Sequence, residues 1–371
     1  MHRIKFPNGN IILNSLPFLL AFIVFLLVRL GVQFPGQVEQ YYSRGIYPVI
    51  AGVFSMISGL ITWSLWDLFW IGTVIWAVTG IVLIIIKRIS IKLFLLRIFQ
   101  SVAIFYSIFY LSWGFNYFRP NIETRLGWNK VKLYEEDFRN ILDTLIVKTN
   151  GTYTSFTTND YNEIQRHLEE SYWQNSSMLG ITWPNGSRNP KTILVSSYFA
   201  KSGVSGYFGP FFNEVHINHY QLPMDYPFIL AHEKAHQFGI ANEAEANITA
   251  FIVCTGSSDS RLQYSGYMHL LLYFLNDAFQ MDDYETYLKK IDMDVMKDIV
   301  SRQKYYDKLR NRRLENFQNS ANNIYLKSQN ISKGIKNYNQ VVGLMITWYR
   351  SSGKIPMESV TYTEFNEKST H

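Results

Sequence analysis

The chain has 371 residues, of which 47% are hydrophobic, 16% are aromatic and only 17% are charged. Its length leaves room for more than one structural unit, and an apolar, aromatic-rich composition is typical of membrane proteins. The net charge is +6, but the excess belongs to the first 119 residues, which hold nine Lys or Arg and two acidic residues. No basic groove with interleaved aromatic residues is evident, which argues against nucleic-acid binding.

Three hydrophobic segments are long enough to span a membrane, namely residues 11–31, 66–86 and 93–114. A signal peptide is the alternative for the first, but it lacks a small-residue cleavage site and further hydrophobic segments follow it. The stretch 46–62 contains Pro48 and scattered Gly and Ser. We interpret it as an interfacial or re-entrant helix, with a fourth span as the alternative.

Basic residues between the hydrophobic segments predict the orientation of the chain. Lys87, Arg88 and Lys92 form the densest basic loop beside a span, so we expect this loop to face the cytoplasm. The next span then carries the chain outward, and everything after Tyr117 is predicted to lie outside the cytoplasm. Three spans also leave the amino terminus inside, in agreement with the basic residue Arg3.

Beyond the spans, the chain alternates polar and apolar residues as soluble domains do. Residues 113–120, WGFNYFRP, are typical of an aromatic belt that ends in a helix breaker. We predict a transmembrane domain over 1–118, a second domain over 119–353 and a polar tail over 354–371. Within the second domain we expect helices over 133–149 and 159–173, a strand over 192–199, a glycine-rich turn over 203–210, a strand over 211–220, and helices over 263–280, 296–329 and 338–348.

The strongest functional signal is the sequence HEKAH at residues 232–236. On a helix, positions i and i+4 share one face, so His232 and His236 can bind one Zn²⁺ ion. Glu233 lies beside them, where it can act on a zinc-bound water as a general base. Gly239 should end the helix soon after the second histidine.

Zinc needs a third protein ligand and one open position for chemistry. Glu243 and Glu245 both follow the glycine turn, and on a helix they point about 200° apart, so both cannot face the same ion. The run EAEAN from Glu243 resembles the ExxA(D/N) motif of gluzincin metallopeptidases, which implies that Glu243 is the ligand and that Asn247 braces a ligand histidine. The short turn is closer to that of metzincins, but Asn242 stands in place of their third histidine and is a poor zinc ligand. We prefer Glu243, with Glu245 as the alternative.

Two further histidines, His216 and His219, lie on the predicted strand 211–220. A strand that precedes the helix of a zinc peptidase often forms the wall of the cleft and pairs with an extended peptide. Either histidine could bind substrate or an oxyanion there. We favour the simpler interpretation that both are ordinary strand residues with local hydrogen bonds.

The predicted helix 263–280 holds three more candidates for stabilising an oxyanion, Tyr264, Tyr267 and His269. Nothing local distinguishes them from residues that pack in a core. Cys254 is the only cysteine, which excludes an internal disulfide and a multi-cysteine zinc site. We expect it to be a buried small residue rather than a nucleophile.

The whole chain resembles a bacterial family of multi-pass membrane proteins, common in Bacteroidetes and known as domain of unknown function 3810. The resemblance covers residues 11–350 and implies a zincin-like site without indicating a substrate. It is carried by the sequences SLWD from Ser64, WGFNYFRP from Trp113, SGYFGPFFNEVHIN from Ser205, HEKAHQFG from His232 and NEAEAN from Asn242.

Together these features predict a membrane α-helical part with about three spans, followed by a mostly helical α+β domain that is zincin-like and contains a small sheet. We expect a zinc metallopeptidase of the bacterial inner membrane, with one zinc ion and a periplasmic catalytic domain. Its partners would be the lipid bilayer and a peptide or protein of the cell envelope. The alternative is an inert zincin-fold scaffold or binding protein. Intramembrane proteolysis is disfavoured, because residues 228–241 are too short and polar to span a membrane.

Overall fold

A computed structural model of the chain describes residues 11–128, 134–156, 160–184, 186, 188–328 and 340–351. These residues are mostly helical, with one small sheet. They divide into two compact units. The first unit comprises the chain up to Pro120 with Pro184–Leu194 and Phe208–Glu214, and the second comprises Asn121–Trp183, Val195–Tyr207 and the chain from Val215 onward.

Three helices of the first unit are long and apolar enough to span a membrane, and they lie where the three spans were expected. They are α1 (Ile11–Gln33), α4 (Leu65–Ile85) and α5 (Ile91–Ser112). Between α1 and α4 lie α2 (Pro35–Gln37), a π-helical stretch (Val38–Ile46) and α3 (Tyr47–Gly59). At 1.5 Å per residue, the 13 residues of α3 extend about 20 Å, which is shorter than the roughly 30 Å of a bilayer core.

Helix α4 begins at Leu65 because side chains satisfy its first backbone N–H groups. The Ser64 hydroxyl accepts a hydrogen bond from the Asp67 N–H at 2.9 Å, as N-cap residues do. The carboxylate of Glu214 accepts from the N–H groups of Leu65 (3.2 Å) and Trp66 (3.0 Å). A carboxylate at this end is also favoured by the helix dipole.

Two segments from later in the chain belong to the first unit because they bind its helix ends. Lys191 donates from Nζ to the carbonyl oxygens of Ser58, at 3.0 Å, and of Ile61. Both carbonyls lie at the carboxyl end of α3, where a cation is favoured. The Leu194 N–H donates to Asp67 at 3.1 Å. These contacts cross more than a hundred residues of sequence and could not be read from local patterns.

The sheet contains β1 (Lys191–Thr192), β2 (Gly206–Gly209) and β3 (Glu214–Ile217) in the order β1-β3-β2. The expected strand over 192–199 is therefore wrong beyond Thr192, because Leu194 and Val195 are exposed and a helix, α9 (Ser196–Lys201), follows them. The expected glycine-rich turn over 203–210 is correct only at its ends, since Gly203 lies in a turn with a φ of 80°. Gly206 and Gly209 lie in β2, where the absence of side chains allows close packing.

The expected strand over 211–220 is shorter than predicted. It is limited to β3 because Asn213 has a φ of 54°, a left-handed conformation that interrupts extended backbone. At the other end the chain turns after Ile217, so His219 lies in an exposed turn and outside the sheet.

The second unit is built around α11 (Glu243–Gly256), whose side chains are buried from Ala244 to Cys254. It contacts α8, α10, α12 and α16. Burying an aromatic or aliphatic side chain such as Phe251 contributes about 1.5–3 kcal/mol. Cys254 is fully buried, as predicted.

The other helices of this unit, besides α9, are α6 (Ile122–Leu126), α7 (Glu135–Gly151), α8 (Tyr161–Asn175), α10 (Tyr226–Gln237), α12 (Ser260–Ala278), α13 (Tyr284–Leu288), α14 (Met293–Leu309), α15 (Arg312–Ser328) and α16 (Gln340–Ser351).

The predicted long helix over 296–329 is two helices, α14 and α15. The break occurs at Asn311, whose N–H donates to the Lys201 carbonyl oxygen at 2.8 Å. Its side chain accepts from the N–H of Arg313 at 3.0 Å and so caps α15. The predicted tail over 354–371 lies outside the described residues.

Candidate metal centre

Helix α10 carries both histidines of the HEKAH motif on one face. Pro227 lies in its first turn, where the missing N–H is tolerated because the first N–H groups of a helix have no intrahelical partner. The helix ends at a left-handed Gly239 with a φ of 83°, a conformation that glycine adopts without strain. The rings of His232 and His236 are 4.8 Å apart and meet edge to face.

Helix α11 begins at Glu243 because Asn242 caps it. The Asn242 side chain accepts hydrogen bonds from the N–H groups of Ala244 (2.9 Å) and Glu245 (3.1 Å). Asn242 therefore serves the helix end, as asparagine commonly does. The cap places Glu243 in the first turn of α11, beside the two imidazoles of α10.

Three side-chain atoms converge where α10 and α11 meet. The Nε2 atoms of His232 and His236 are 3.1 Å apart. Glu243 Oε2 lies 3.1 Å from His232 Nε2 and 3.7 Å from His236 Nε2. Tetrahedral zinc with bonds of about 2.0–2.2 Å has ligand atoms separated by roughly 3.3–3.6 Å. The spacing of the three atoms therefore fits a zinc ion, and so does the donor set of two imidazoles and one carboxylate.

Each imidazole is held through its other nitrogen. His232 Nδ1 donates to the side-chain oxygen of Asn247 at 3.1 Å, and His236 Nδ1 donates to the Ile240 carbonyl oxygen at 2.7 Å. The Nε2 lone pairs are then directed into the cluster, which is the tautomer that metal-binding histidines need. Asn247 thus occupies the bracing position predicted for it.

Opposite charges dominate the electrostatics of the cluster. Burial alone would lower the pKa of His236, but the Glu243 carboxylate raises it to about 9. Burial alone would raise the pKa of Glu243, but the two imidazoles, His236 foremost, hold it well below its usual range. An ionised carboxylate between two basic nitrogens is an arrangement that suits a divalent cation.

We expect Asn247→Ala to weaken zinc binding by about 10- to 100-fold, the usual effect of losing a residue that orients a ligand histidine. Competition with a chelating dye measures this affinity. Asn247→Asp keeps an acceptor oxygen for His232 Nδ1 and is the matched control, with an affinity closer to wild type. Equal affinities for the wild type and Asn247→Ala would contradict the bracing role.

Glu233 lies beside the cluster but is not one of its three converging residues. Its side chain is buried and points toward β2, where Gly206 packs against it. Burial raises the pKa of Glu233, although the neighbouring imidazoles of His232 and His236 oppose this. A desolvated carboxylate with a raised pKa is a suitable proton acceptor near neutral pH.

Glu245, the alternative third ligand, is engaged elsewhere. Its carboxylate accepts a hydrogen bond from the N–H of Ile122 at 2.9 Å and forms an ion pair with the buried guanidinium of Arg125. The structure therefore brings Glu243, and not Glu245, to the histidines. Glu245 instead ties α6 to α11.

The two strand histidines are placed differently. His216 is fully buried in β3, and its ring stacks on that of Tyr207 with centroids 4.5 Å apart. It lies close enough to Glu233 to affect that carboxylate electrostatically. His219 is exposed in the turn after β3 and is not brought to the cluster.

The three candidates on α12 have structural partners. His269 donates from Nδ1 to the Ser265 carbonyl oxygen at 2.9 Å, and its Nε2 lies 3.2 Å from Asp225. Tyr267 packs edge to face against a phenylalanine of α11. Tyr264 donates to Asp298 at 2.8 Å. None of the three belongs to the converging group, so the sequence-based proposal of an oxyanion role gains no support.

A residue that the sequence reasoning missed, Tyr273, lies closer to the centre. Burial and then the charge of Glu243 raise the pKa of Tyr273 to about 12, although the nearby side chain of Asn247 opposes this. Tyr273 therefore stays protonated beside the ligands. Helical spacing could have identified it, because Tyr273 is one turn after His269 and shares its face of α12.

These observations define a mostly helical protein with three helices able to span a membrane and a group of two histidines and one glutamate that could hold a metal ion. The chain belongs to the family described as "Protein of unknown function (DUF3810)", whose sequence model matches residues 42–346. This confirms the resemblance to domain of unknown function 3810 noted from the sequence. No curated protein and no solved structure matches the chain.

Proposed function

We propose that this protein is a membrane-anchored, zincin-like zinc metallopeptidase of the gluzincin type. One observation carries the proposal: His232 Nε2, His236 Nε2 and Glu243 Oε2 converge at the spacing of zinc ligands, with the carboxylate of Glu233 beside them. Catalytic zinc sites commonly have three protein ligands and keep one position open, whereas structural sites fill all four.

Two imidazoles and one carboxylate would hold the ion, and this donor set favours zinc over harder cations such as Mg²⁺ or Ca²⁺. When bound, zinc supplies a Lewis acid that polarises a carbonyl and lowers the pKa of a water from about 16 to near 7. The hydrogen bonds from His232 to Asn247 and from His236 to Ile240 hold the rings in place for this purpose.

Glu233 is the proposed proton carrier. Its carboxylate accepts the proton of the attacking water and then delivers it to the leaving amine, which completes hydrolysis of the peptide bond. Burial favours this role because it weakens the solvation of the carboxylate and raises its pKa. The neutral phenol of Tyr273 adds a hydrogen-bond donor near Glu243.

An edge strand beside Glu233 supports a peptide as the substrate, but this strand is not the one expected from the sequence. Residues 211–220 were expected to pair with the peptide, yet β3 lies between β1 and β2 and has a neighbour on each side. Strand β2 is an edge strand, and its first residue, Gly206, lies against Glu233. Extended peptides bind to exposed sheet edges through backbone hydrogen bonds. The proposed peptide-binding strand is therefore β2.

The proposed location of the site is outside the cytoplasm, facing the periplasm of a bacterial cell. The support is the basic loop after α4, which contains Lys87 and Arg88 and should stay on the cytoplasmic side. Helix α5 then carries the chain out.

An alkaline phosphatase fusion after Ser351 should be active, because this enzyme folds only where disulfides form. A matched fusion in the loop at Ile89 should be inactive. Measured phosphatase activity, normalised to protein level, checks the orientation. The reverse pattern of activities would place the metal centre in the cytoplasm.

The function itself is tested by comparing peptides released from the cell envelope in wild-type cells and in cells that carry Glu233→Gln. Peptides that appear only with the wild type would identify substrates and the bonds cleaved. Identical peptide sets, together with bound zinc, would favour the alternative of an inert scaffold.

A further inference from the structure

The backbone of β2 approaches Glu233 more closely than any residue with a side chain would allow. A Cβ atom placed on Gly206 would lie 2.9 Å from Cγ and 3.0 Å from Oε1 of Glu233, and 2.9 Å from the carbonyl oxygen of His216. Carbon contacts in proteins lie near 3.5–4.0 Å. A methyl group at this position would therefore displace either the Glu233 side chain or the backbone of β3.

The surroundings make the Glu233 side chain the part that moves. His216 lies within β3, the central strand of the sheet, so a neighbouring strand on each side restrains its backbone. Its ring is fully buried and stacked on Tyr207, the residue after Gly206. Glu233, in contrast, has rotatable side-chain bonds and contacts Gly206 through its outer atoms.

The conformation of Gly206 does not explain the need for glycine. Its φ lies outside the left-handed region, so an alanine could adopt the same backbone conformation. The requirement is for space, because the Glu233 side chain and the His216 carbonyl oxygen occupy the place that a Cβ would take.

We propose that Gly206 is a positioning residue for Glu233: the absence of a side chain lets the backbone of β2 set where this carboxylate lies relative to His232, His236 and Glu243. This inference rests on the proposed hydrolytic function. A general base must lie about 2.6–3.2 Å from the group whose proton it takes, and a shift of about 1 Å can reduce the rate by roughly 100-fold. The contact therefore governs the catalytic step more than it governs substrate or zinc binding.

The test is Gly206→Ala in the full-length protein in detergent. We expect kcat to fall by about 10- to 100-fold, while KM changes less than kcat and the zinc content stays near the wild-type value. The matched control is Gly151→Ala, because a Cβ at Gly151 would have no neighbour within 4 Å. This control should leave kcat, KM and Tm close to those of the wild type. A wild-type kcat in Gly206→Ala, with an active wild-type enzyme, would overturn the positioning role alone.

A thermodynamic cycle gives a readout that does not depend on hydrolysis. Gly206→Ala should lower Tm in the wild type and lower it less in Glu233→Ala, because the added methyl group then enters vacated space. In Glu233→Ala, the part of the fall in Tm that comes from the clash with the His216 carbonyl oxygen should remain. An equal fall in Tm in both backgrounds would show that the glycine does not act through Glu233. Absence of hydrolysis by the wild type would overturn the proposed function together with this role.

Discussion

Glu233→Gln should abolish peptide hydrolysis and leave zinc bound. Glutamine has nearly the same shape as glutamate but cannot accept a proton, and Glu233 is not among the three converging ligand residues. General-base catalysis commonly contributes 10²- to 10⁴-fold to the rate, so we expect kcat to fall by roughly 10³-fold or more. The prediction has two measurements. One is the turnover of a fluorogenic peptide designed from a bond cleaved in the envelope comparison, and the other is the zinc content of the same protein.

The matched control is Glu170→Gln, which makes the same chemical change at an exposed glutamate of α8. It should keep both hydrolysis and zinc. Hydrolysis by Glu233→Gln at the wild-type rate would contradict the assignment of Glu233 as the base. Loss of zinc from Glu233→Gln would contradict it in another way, since Glu233 would then act on the metal centre itself.

Several parts of the fold and centre follow from local physical rules and could be predicted. The spans follow from the length of apolar runs, and the pairing of His232 with His236 follows from the helical repeat. The end of α10 follows from the conformational freedom of Gly239. Each of these rules uses residues that are close in sequence, so no knowledge of the tertiary structure was needed.

The choice between Glu243 and Glu245 shows where such rules stop. The helical repeat indicates that the two carboxylates point in different directions, but it does not indicate which direction faces the histidines. In the structure, the choice follows from Arg125 and the N–H of Ile122, about 120 residues earlier in the chain, which engage Glu245. Only the tertiary structure brings these groups together.

The short strands illustrate a second limit. The run TILVSSYF from Thr192 has the composition of a strand, but α9 forms there instead. Conversely, Gly206–Gly209 has the composition of a turn and forms an edge strand. In both segments tertiary packing outweighs weak local propensity. At Gly206 the contact that requires a glycine is with Glu233, which is distant in sequence.

The ligand set makes the second strong prediction, that His236→Ala and Glu243→Ala lose zinc while Glu245→Gln retains it. Removal of a direct ligand should weaken binding by more than the roughly 10- to 100-fold expected for a bracing residue. Glu245→Gln is the sharpest control because it alters the rival ligand. It removes a charge from a buried ion pair with Arg125, so it should lower Tm because the buried guanidinium loses this charged partner.

Zinc affinity and stability therefore separate the two glutamates. Zinc at about 100 times its Kd stabilises a folded protein by about 2.7 kcal/mol, provided that the unfolded chain does not bind it. After removal of metal with a chelator, added zinc should raise Tm for the wild type and for Glu245→Gln, although the latter starts from a lower value. It should leave Tm unchanged for His236→Ala and Glu243→Ala. A zinc-dependent rise in Tm for Glu243→Ala, with no such rise for Glu245→Gln, would identify Glu245 as the third ligand. The arrangement of α10 and α11 around the centre would then have to differ from the one described.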